Sequence, residues 1–438
     1  MPTASCRCQC KLCRTPGAAH CRAAATCGAP ARLRPATAPD GPAVAEVLRR
    51  LKADAGSHSP SVAQLERALP GLVRIDACFL SNPYATKLML RRLCTLQPER
   101  LERMVSHYPS QSGAIAAMLA PAVGVPEEQL VVANGACELI EALLGQCRGP
   151  VLLSLPTFSA YYEAAKSPVV VHRLAADRGF ALDLDALDAL VDRHAPDTVV
   201  VINPNNPDGG LVDRGALIDF VVRLQGRVRQ VIVDESFLAF SSLEPPHSLA
   251  GLVGELPHLV VLNSLSKSHG IAGLRLGYAV AAPLRAQQLR AGSLWNVNAF
   301  AEWCCGLLAD DGYRLEYETA RRQYVRSTRA FLDLLPLLPG VTAYPSAANF
   351  ALLELDRPAA DVAHDLLVGH GVYVRDCADK WGLGGDRYLR VAARTADENG
   401  QIIAALADVL ARPPQEPAPR TRRRTPARTG RRAPVAVA

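Results

Sequence analysis

Short apolar runs rich in β-branched residues recur between residues 130 and 281, and stretches of helical periodicity separate them. Continuous apolar strands that alternate with helices are typical of a mostly parallel sheet with helices on both faces. We therefore predict a large α/β domain with about seven strands, in which the sheet lies between two helical layers. The predicted strands begin at Leu130, Val151, Val169, Val199, Val231, Val260 and Tyr278.

A second, smaller α/β domain is predicted from the two ends of the chain. Its C-terminal part has strand patterns at residues 349–353, 372–375 and 388–391 and helical patterns at 360–369 and 397–411. A chain of 438 residues also exceeds what one hydrophobic core usually supports, which favours two domains.

The chain divides into five predicted segments. A long helix near 284–335, broken around Trp295, would connect the large domain to the C-terminal part of the small domain. The segments are a disordered extension (1–42), the N-terminal segment of the small domain (43–104), the large domain (105–321), the C-terminal part of the small domain (322–411) and a disordered basic tail (412–438).

Charge and cysteine content set the ends apart from the folded body. The formal charge is +6, but residues 1–40 and 412–438 together carry a larger positive charge, so the body between them is acidic. We assign the tail no nucleic-acid partner. Six of the thirteen cysteines lie in the first 27 residues, without the paired spacing of a zinc finger, and we predict no metal site.

Since no run of 18 apolar residues occurs, we predict no membrane segment and a cytoplasmic protein.

Polar clusters follow five of the predicted strands. In parallel sheets, ligands bind at the carboxyl ends of strands, so these clusters should share one edge of the sheet. They are Gly135-Ala136-Cys137, Pro156-Thr157-Phe158, Asn203-Pro204-Asn205-Asn206-Pro207, Asp234-Glu235-Ser236-Phe237 and the segment from Ser264 to Tyr278.

The segment from Ser264 to Tyr278 places Lys267 among small and hydroxyl residues, with Arg275 eight positions later. A lysine attacks a carbonyl only as the free amine, and burial or a nearby cation lowers its pKa toward neutrality. The hydroxyls of Ser264 and Ser266 and the forked guanidinium of Arg275 suit a phosphate. This pattern indicates a reactive amine beside an anion site.

The remaining clusters supply complementary groups. Gly135 before a helix suits a phosphate, because the first amides of a helix are free to donate. Asp234 suits a protonated ring nitrogen, Asn206 a ring hydroxyl and Phe158 a stacked ring. Each also has a plain structural interpretation: a helix cap, an Asn-Pro turn and buried packing. Together they predict pyridoxal 5′-phosphate as the cofactor.

The motifs N-P-N-N-P, D-E-x-F and S-L-S-K-x-x-G-x-A-G-L-R-L-G-Y occur in this order. With them the chain resembles, over residues 75–411, fold-type I pyridoxal-phosphate enzymes of the class I/II aminotransferase superfamily. The similar branch is that of histidinol-phosphate aminotransferase and threonine-phosphate decarboxylase.

The resemblance implies a role for each site residue. Lys267 would form the Schiff base with the cofactor and carry the proton. Tyr84 would reach the cofactor phosphate of the other subunit, which implies a homodimer. Arg390 would bind the substrate α-carboxylate, and Arg375 a substrate phosphate. The remaining cofactor contacts would come from Gly135, Ala136, Cys137, Phe158, Asn206, Asp234, Ser264, Ser266 and Arg275.

The predicted reaction is transamination from an amino acid, or a phosphorylated relative of one, to a 2-oxo acid. Two departures favour an alternative, decarboxylation of an O-phospho amino acid. Phe237 stands where aminotransferases of this branch usually have a tyrosine, and the residues from Val374 to Arg394 resemble threonine-phosphate decarboxylases more closely. A more remote alternative is a non-catalytic, cofactor-binding regulator, although residues 1–40 lack the pattern of a helix-turn-helix.

Overall fold

The computed structural model describes residues 41–245, 247–292, 297–412 and 435–437, with the backbone alone at 41–43 and 435–437. The predicted extension with its cysteines, the break around Trp295 and most of the basic tail lie outside this part. The helices are α1 (Gly41–Ala55), α2 (Val62–Ala68), α3 (Pro83–Leu93), α4 (Pro98–Ser106), α5 (Ser112–Val123), α6 (Ala136–Gly145), α7 (Ser159–Ala164), α8 (Leu184–His194), α9 (Arg214–Arg223), α10 (Leu265–Ser268), α11 (Pro283–Gly292), α12 (Ala299–Leu308), α13 (Asp311–Leu334), α14 (Ala359–His370) and α15 (Ala396–Ala411).

The strands form three sheets. They are β1 (Ile75–Asp76), β2 (Leu130–Ala133), β3 (Val151–Leu155), β4 (Val169–Arg173), β5 (Thr198–Ile202), β6 (Gln230–Asp234), β7 (Leu259–Ser264), β8 (Gly277–Val280), β9 (Val341–Ala343), β10 (Phe350–Leu355), β11 (Val372–Tyr373), β12 (Arg375–Asp376), β13 (Tyr388–Ala392) and β14 (Val435–Val437).

The large domain is built on a sheet with the strand order β14-β4-β3-β5-β6-β7-β8-β2. Neighbouring strands are parallel, except that β8 runs antiparallel to both β7 and β2. The seven strands β2 to β8 are those that the apolar runs predict, so the predicted fold class is confirmed. Strand order brings distant segments together: β3, for example, lies between β4 and β5.

Both faces of this sheet are buried, as the continuous apolar strands require. Along β6, Val231 and Val233 pack into the core under α5, α9 and α12, whereas Ile232 packs into the core under α6 and α11. Successive side chains of a strand point to opposite faces, so one apolar run supplies both cores. The sheet is therefore the middle of three layers.

Strand β14 lies within the segment that the sequence assigns to a disordered tail, and at these three residues that prediction is corrected. Residues Val435–Val437 pair in parallel with Val169–Val171 of β4. Without them β4 would be an edge strand, whose open backbone groups accept any short segment of good strand propensity.

The small domain combines both ends of the chain, as predicted. Its four-stranded antiparallel sheet has the order β12-β13-β10-β9, and β1 pairs in parallel with β11, so that Ile75 lies opposite Val372. α14 and α15 contribute to a core of their own with these strands. The pairing of β1 with β11 ties the segment before α3 to residues almost 300 positions later.

Three helices replace the single broken helix predicted near 284–335. A second break falls at Asp310, whose side chain accepts from the Tyr313 amide at 2.8 Å and so begins a new helix. α13 then runs through the predicted domain boundary at 321/322. Tyr313 packs in the large-domain core and Tyr324 in the small-domain core, so this helix joins the two.

Among the described residues, no helix has both the length and the apolar character needed to cross a membrane.

Candidate active site

The five polar clusters meet at one edge of the large sheet, as the parallel topology predicts. Gly135 follows β2, Phe158 follows β3 and Asn206 follows β5, while Asp234 and Ser264 end β6 and β7. β8 runs in the opposite direction, so its beginning, just after Arg275, lies at the same edge. The topology thus gathers groups that are up to 140 residues apart in the sequence.

The start of α6 and the start of β8 form a close-packed anion cradle. Gly135 has φ +87°, and a Cβ there would lie 2.7 Å from Nη2 of Arg275. A Cβ on Gly277 would lie 2.7 Å from the amide nitrogen of Ala136. The amides of Ala136 and Cys137 belong to the first turn, where the helix itself provides no acceptor. The glycines therefore let a guanidinium approach a helix N-terminus, which favours a phosphate.

Two serines complete this cradle from β7 and α10. The amide of Ser264 donates to Oγ of Ser236 at 3.0 Å, which fixes the end of β7. Ser266 is 3% exposed, and its buried hydroxyl has no hydrogen-bond partner among the described residues. An unsatisfied buried hydroxyl costs about 1–3 kcal/mol. A bound phosphate oxygen would satisfy it.

Asp234 is held by two donors at the end of β6. Its Oδ2 accepts from the Tyr161 hydroxyl at 2.8 Å, and its Oδ1 accepts from the Ser236 amide at 2.9 Å. Burial raises the pKa of this carboxyl, while the hydrogen bonds from Ser236 and Tyr161 and the charge of Lys267 act against that rise. These contacts fix the orientation of the carboxylate, which suits its predicted role toward a protonated ring nitrogen.

Asn206 is oriented by Arg390, a contact that spans 184 residues. Nη1 of Arg390 donates to Oδ1 of Asn206 at 2.7 Å. A guanidinium only donates, so the amide oxygen must face it, and the amide NH₂ of Asn206 is left to donate elsewhere. That is the group that the predicted contact with a ring oxygen requires.

Arg390 carries a buried charge without an acidic partner among the described residues. Nη2 donates to the Cys78 carbonyl at 2.9 Å, Nε is buried without a hydrogen bond, and Cζ lies 5.4 Å from the centroid of the Phe350 ring. Phe237 packs edge-on against Phe350, with ring centroids 5.1 Å apart. It therefore supports the ring over which the Arg390 guanidinium lies. A buried unpaired cation is costly, and a substrate carboxylate would balance it.

Lys267 lies on the four-residue helix α10, directly after β7. Its backbone is fixed because the Asn82 amide donates to the Lys267 carbonyl at 3.0 Å, and Asn82 also caps α3. Burial lowers the pKa of its amine to about 8, and the positive charges of Arg390 and Arg275 act in the same direction. Near neutral pH, a useful fraction of the amine is therefore unprotonated and nucleophilic.

This pKa predicts how the cofactor-free protein captures pyridoxal phosphate. Below about pH 8 the amine of Lys267 is mostly protonated, so the rate of covalent capture should rise with pH and level off above a midpoint near 8. Arg390→Met removes a cation that lowers this pKa, so the midpoint should move to higher pH. Stopped-flow absorbance of the cofactor from pH 6 to 10 measures both.

Arg387→Met is the matched control for that experiment, because Arg387 is exposed and pairs with Glu354 of the neighbouring strand β10. It should leave the midpoint unchanged. A wild-type midpoint near that of free lysine, at about 10.4, would contradict the assignment of Lys267.

Arg375 is buried beneath the segment that joins α1 to α2. It donates to the Ser57 carbonyl at 2.8 Å and to Oγ of Ser59 at 3.1 Å, and it forms an ion pair with Asp379 at 2.6 Å. The predicted phosphate-binding arginine is therefore already paired with Asp379, in a buried position beside the site.

The last three predicted site residues, Phe158, Cys137 and Tyr84, lie in different surroundings. Phe158 lies at the edge of the sheet, half-buried, with the ring of His58 6.4 Å away. Cys137 is exposed, and its predicted contribution is the backbone amide alone. The Tyr84 hydroxyl accepts from the Ala396 amide of the same chain at 3.2 Å, and its role toward a second subunit stays a prediction.

Tyr161 and Lys380 were not predicted from the sequence. Tyr161 follows Phe158 by three residues, the spacing of one helical turn, and this was the available signal that both reach the same site. Lys380 lies in the loop between β12 and β13, with its amine 6.0 Å from the centroid of the Phe158 ring. Loops carry no periodicity from which such a position could be read.

Taken together, the unsatisfied Ser266 hydroxyl, the glycine-lined cradle and the oriented Asp234 fit pyridoxal phosphate. Ser264, Ser266, Arg275 and the first amides of α6 would hold its phosphate. Asp234 would face its ring nitrogen, and the amine of Lys267 would bond to its aldehyde.

Comparison with known proteins agrees with this geometry. Residues 99–406 match the family model of aminotransferase class I and II. The chain is 35% identical over 379 residues to an L-serine phosphate decarboxylase of Campylobacter jejuni, covering 84% of this chain and 97% of that protein. It is 38% identical over 379 residues to the L-serine phosphate decarboxylase of Sulfurospirillum multivorans, covering 83% and 96%.

A solved structure described as a decarboxylase from Sulfurospirillum multivorans superimposes with a TM-score of 0.79 at 36% identity, covering 85% of this chain and 97% of that one. The family predicted from the motifs is thus confirmed. The chain belongs to the aminotransferase class I and II family, and it is a pyridoxal-phosphate-dependent enzyme of fold type I.

Proposed function

We propose that this enzyme decarboxylates O-phospho-L-serine to O-phosphoethanolamine. The observation that carries the proposal is the likeness, at 35% and 38% identity and over almost their whole length, to two proteins named L-serine phosphate decarboxylase. These relatives favour the alternative in the sequence analysis over its main prediction of transamination. The non-catalytic regulator is the least supported of the three hypotheses, because these two relatives are enzymes that match the chain over almost their whole length.

The small-domain sheet supports a substrate with two anionic groups. Arg375 on β12 and Arg390 on β13 are directly opposite each other in the antiparallel pairing, and both are buried. Directly opposite side chains lie on one face, about 4.5–5.5 Å apart at Cβ, and like charges in such a pair are destabilising. A carboxylate and a phosphate separated by two carbons would relieve that repulsion, as O-phospho-L-serine does.

The residues of the chain have distinct tasks in this reaction. When bound, pyridoxal phosphate draws electrons from the substrate Cα through its protonated ring nitrogen. Asp234 would keep that nitrogen protonated, and Asn206, which Arg390 orients, would donate to the ring oxygen. Arg390 orients the carboxylate whose bond to Cα breaks as carbon dioxide leaves. The amine of Lys267 then gives a proton to Cα, so the reaction consumes one proton and no 2-oxo acid.

A parallel assay of carbon dioxide and of the cofactor form tests the proposal. With O-phospho-L-serine as the only substrate, we expect carbon dioxide and O-phosphoethanolamine in equal amounts over many turnovers. Transamination would instead convert the cofactor to pyridoxamine phosphate in a single turnover, and would continue only after a 2-oxo acid is added. L-serine at the same concentration is the control for the phosphate, and an aminotransferase outcome would overturn the proposal.

A homodimer in the cytoplasm, the predicted assembly and location, remains part of this proposal. α4 buries none of its side chains, Val105 is 79% exposed, and Tyr108 beyond its end is 85% exposed. Leu101, one turn before Val105, is exposed as well, and exposed apolar side chains that lie close together are typical of an interface. Light scattering of the purified enzyme should give twice the mass of the chain.

A further inference from the structure

The loop between β12 and β13 carries a lysine, nine-tenths buried, that the reaction described above does not use. Lys380 is 9% exposed, and its amine has no hydrogen bond or ion pair with any residue that the structure describes. The amine lies over the ring of Phe158, 6.0 Å from the ring centroid. A lysine that is nine-tenths buried without an anion is costly unless a ligand supplies one.

This loop is docked against the site and does not extend into solvent. A Cβ on Gly382 would lie 2.9 Å from the Pro156 nitrogen, so the loop backbone lies directly on the turn that carries Phe158. The ring of Trp381 packs edge-on against Tyr162 of α7, with centroids 5.4 Å apart. Contacts of the two residues that follow Lys380 therefore hold this part of the loop against the end of β3.

The charges around Lys380 are unbalanced. Burial lowers the pKa of its amine to about 8, with Arg375 and Arg390 acting in the same direction. The acidic side chain that acts on it, Asp379, is already bonded on one oxygen by Arg375 and on the other by Lys52, each at 2.6 Å. Lys380, Arg375, Arg390 and Lys52 are four cations. The carboxylates near them are Asp379 and Asp376, on which Arg375 and Lys52 also act, so the surplus is two positive charges. A phosphate carries about −1.5 to −2 at pH 7 and matches that surplus.

Resting on the proposed function, we propose that Lys380 is a specificity residue whose amine binds the distal phosphate of the substrate beside Arg375. The opposed pair of Arg390 and Arg375 sets the direction from carboxylate to phosphate. Lys380 closes the phosphate end from the β12–β13 loop, above the ring of Phe158. The enzyme would then select phosphorylated amino acids because only they neutralise this group.

The test is a comparison of Lys380→Met with Lys166→Met in the cofactor-loaded enzyme. Lys166 is an exposed lysine after α7 and serves as the matched control. We expect Lys380→Met to lower the ratio of kcat/KM for O-phospho-L-serine to that for L-serine about 100-fold, because truncating one member of a buried charge pair has effects of this size. Lys380→Arg keeps the charge and should restore the ratio to within about tenfold. Lys166→Met should not change it.

A binding measurement separates this inference from the proposed function. The change in cofactor absorbance on titration with O-phospho-L-serine and L-serine gives both dissociation constants, whichever reaction follows. If wild type binds O-phospho-L-serine without releasing carbon dioxide, the proposed function fails, and a selective loss of binding in Lys380→Met still supports the inference. If Lys380→Met weakens both ligands equally, or neither, Lys380 only packs against Phe158 and the inference is overturned.

Discussion

Lys267→Ala should lower kcat by at least about 10⁴-fold, the largest effect that we expect from any single substitution. The variant loses both the amine that bonds to the cofactor and the group that returns a proton to Cα. The phosphate cradle is left intact, because Ser264, Ser266 and Arg275 do not depend on the lysine side chain. Carbon dioxide release measures the loss of turnover, and retained cofactor absorbance after desalting measures the remaining binding.

Two controls make this result specific. Lys166→Ala removes an exposed amine and should keep wild-type turnover. Added methylamine, a small primary amine, should restore part of the proton transfer in Lys267→Ala but not in a misfolded protein. Wild-type turnover in Lys267→Ala would show that the assignment of the lysine is wrong.

Asp234→Asn should lower kcat about 10³-fold with little change in shape. The buried carboxylate is the charge that would keep the cofactor ring nitrogen protonated, and removing one preorganised electrostatic contact of this kind typically costs 10²–10³-fold or more. Because the amide occupies the same volume, the core around Ile232 and Val233 should be unaffected. Steady-state kinetics give the loss, and the melting temperature of the cofactor-free protein checks that the fold is preserved.

Tyr161→Phe gives a graded version of the same experiment. It removes the 2.8 Å hydrogen bond to Oδ2 of Asp234 and leaves the carboxylate in place. A hydrogen bond to a charged group contributes about 1.5–3 kcal/mol, so a reduction of roughly 10- to 100-fold in kcat is expected. Phe220→Leu, in the core on the other side of the sheet, is the control for general loosening. If Asp234→Asn had the same activity as wild type, the assignment of Asp234 to the active site would be wrong.

Much of the large domain could be predicted because its signals are local. Apolar runs predicted the seven strands β2 to β8, and a polar cluster after each of five strands predicted the edge at which the site lies. The predicted long helix near 284–335 was less accurate, because the cap at Asp310 is a single side chain with little effect on periodicity. β14 was missed because a three-residue strand forms only where an edge strand is available to pair with it.

Within the site, residue types could be predicted from the sequence, but their partners could not. Asn206 and Arg390 were each predicted to contact a ligand, but their contact with each other depends on how the small domain packs on the large one. Tyr161 and Lys380 were missed for the same reason. Tyr161 lies on a helix of six residues, and the amine of Lys380 is placed by a loop that docks on a turn more than 220 residues earlier.

The sequence by itself determined the fold class, the family and the cofactor, because apolar periodicity and the spacing around Lys267 are properties of neighbouring residues. The tertiary structure alone decided which charges meet. It placed Arg375 opposite Arg390, paired Asp379 with both Lys52 and Arg375, and left Lys380 nine-tenths buried with no anion bound to it among the described residues. Electrostatic balance depends on distances between segments that are far apart in the chain, and folding sets those distances.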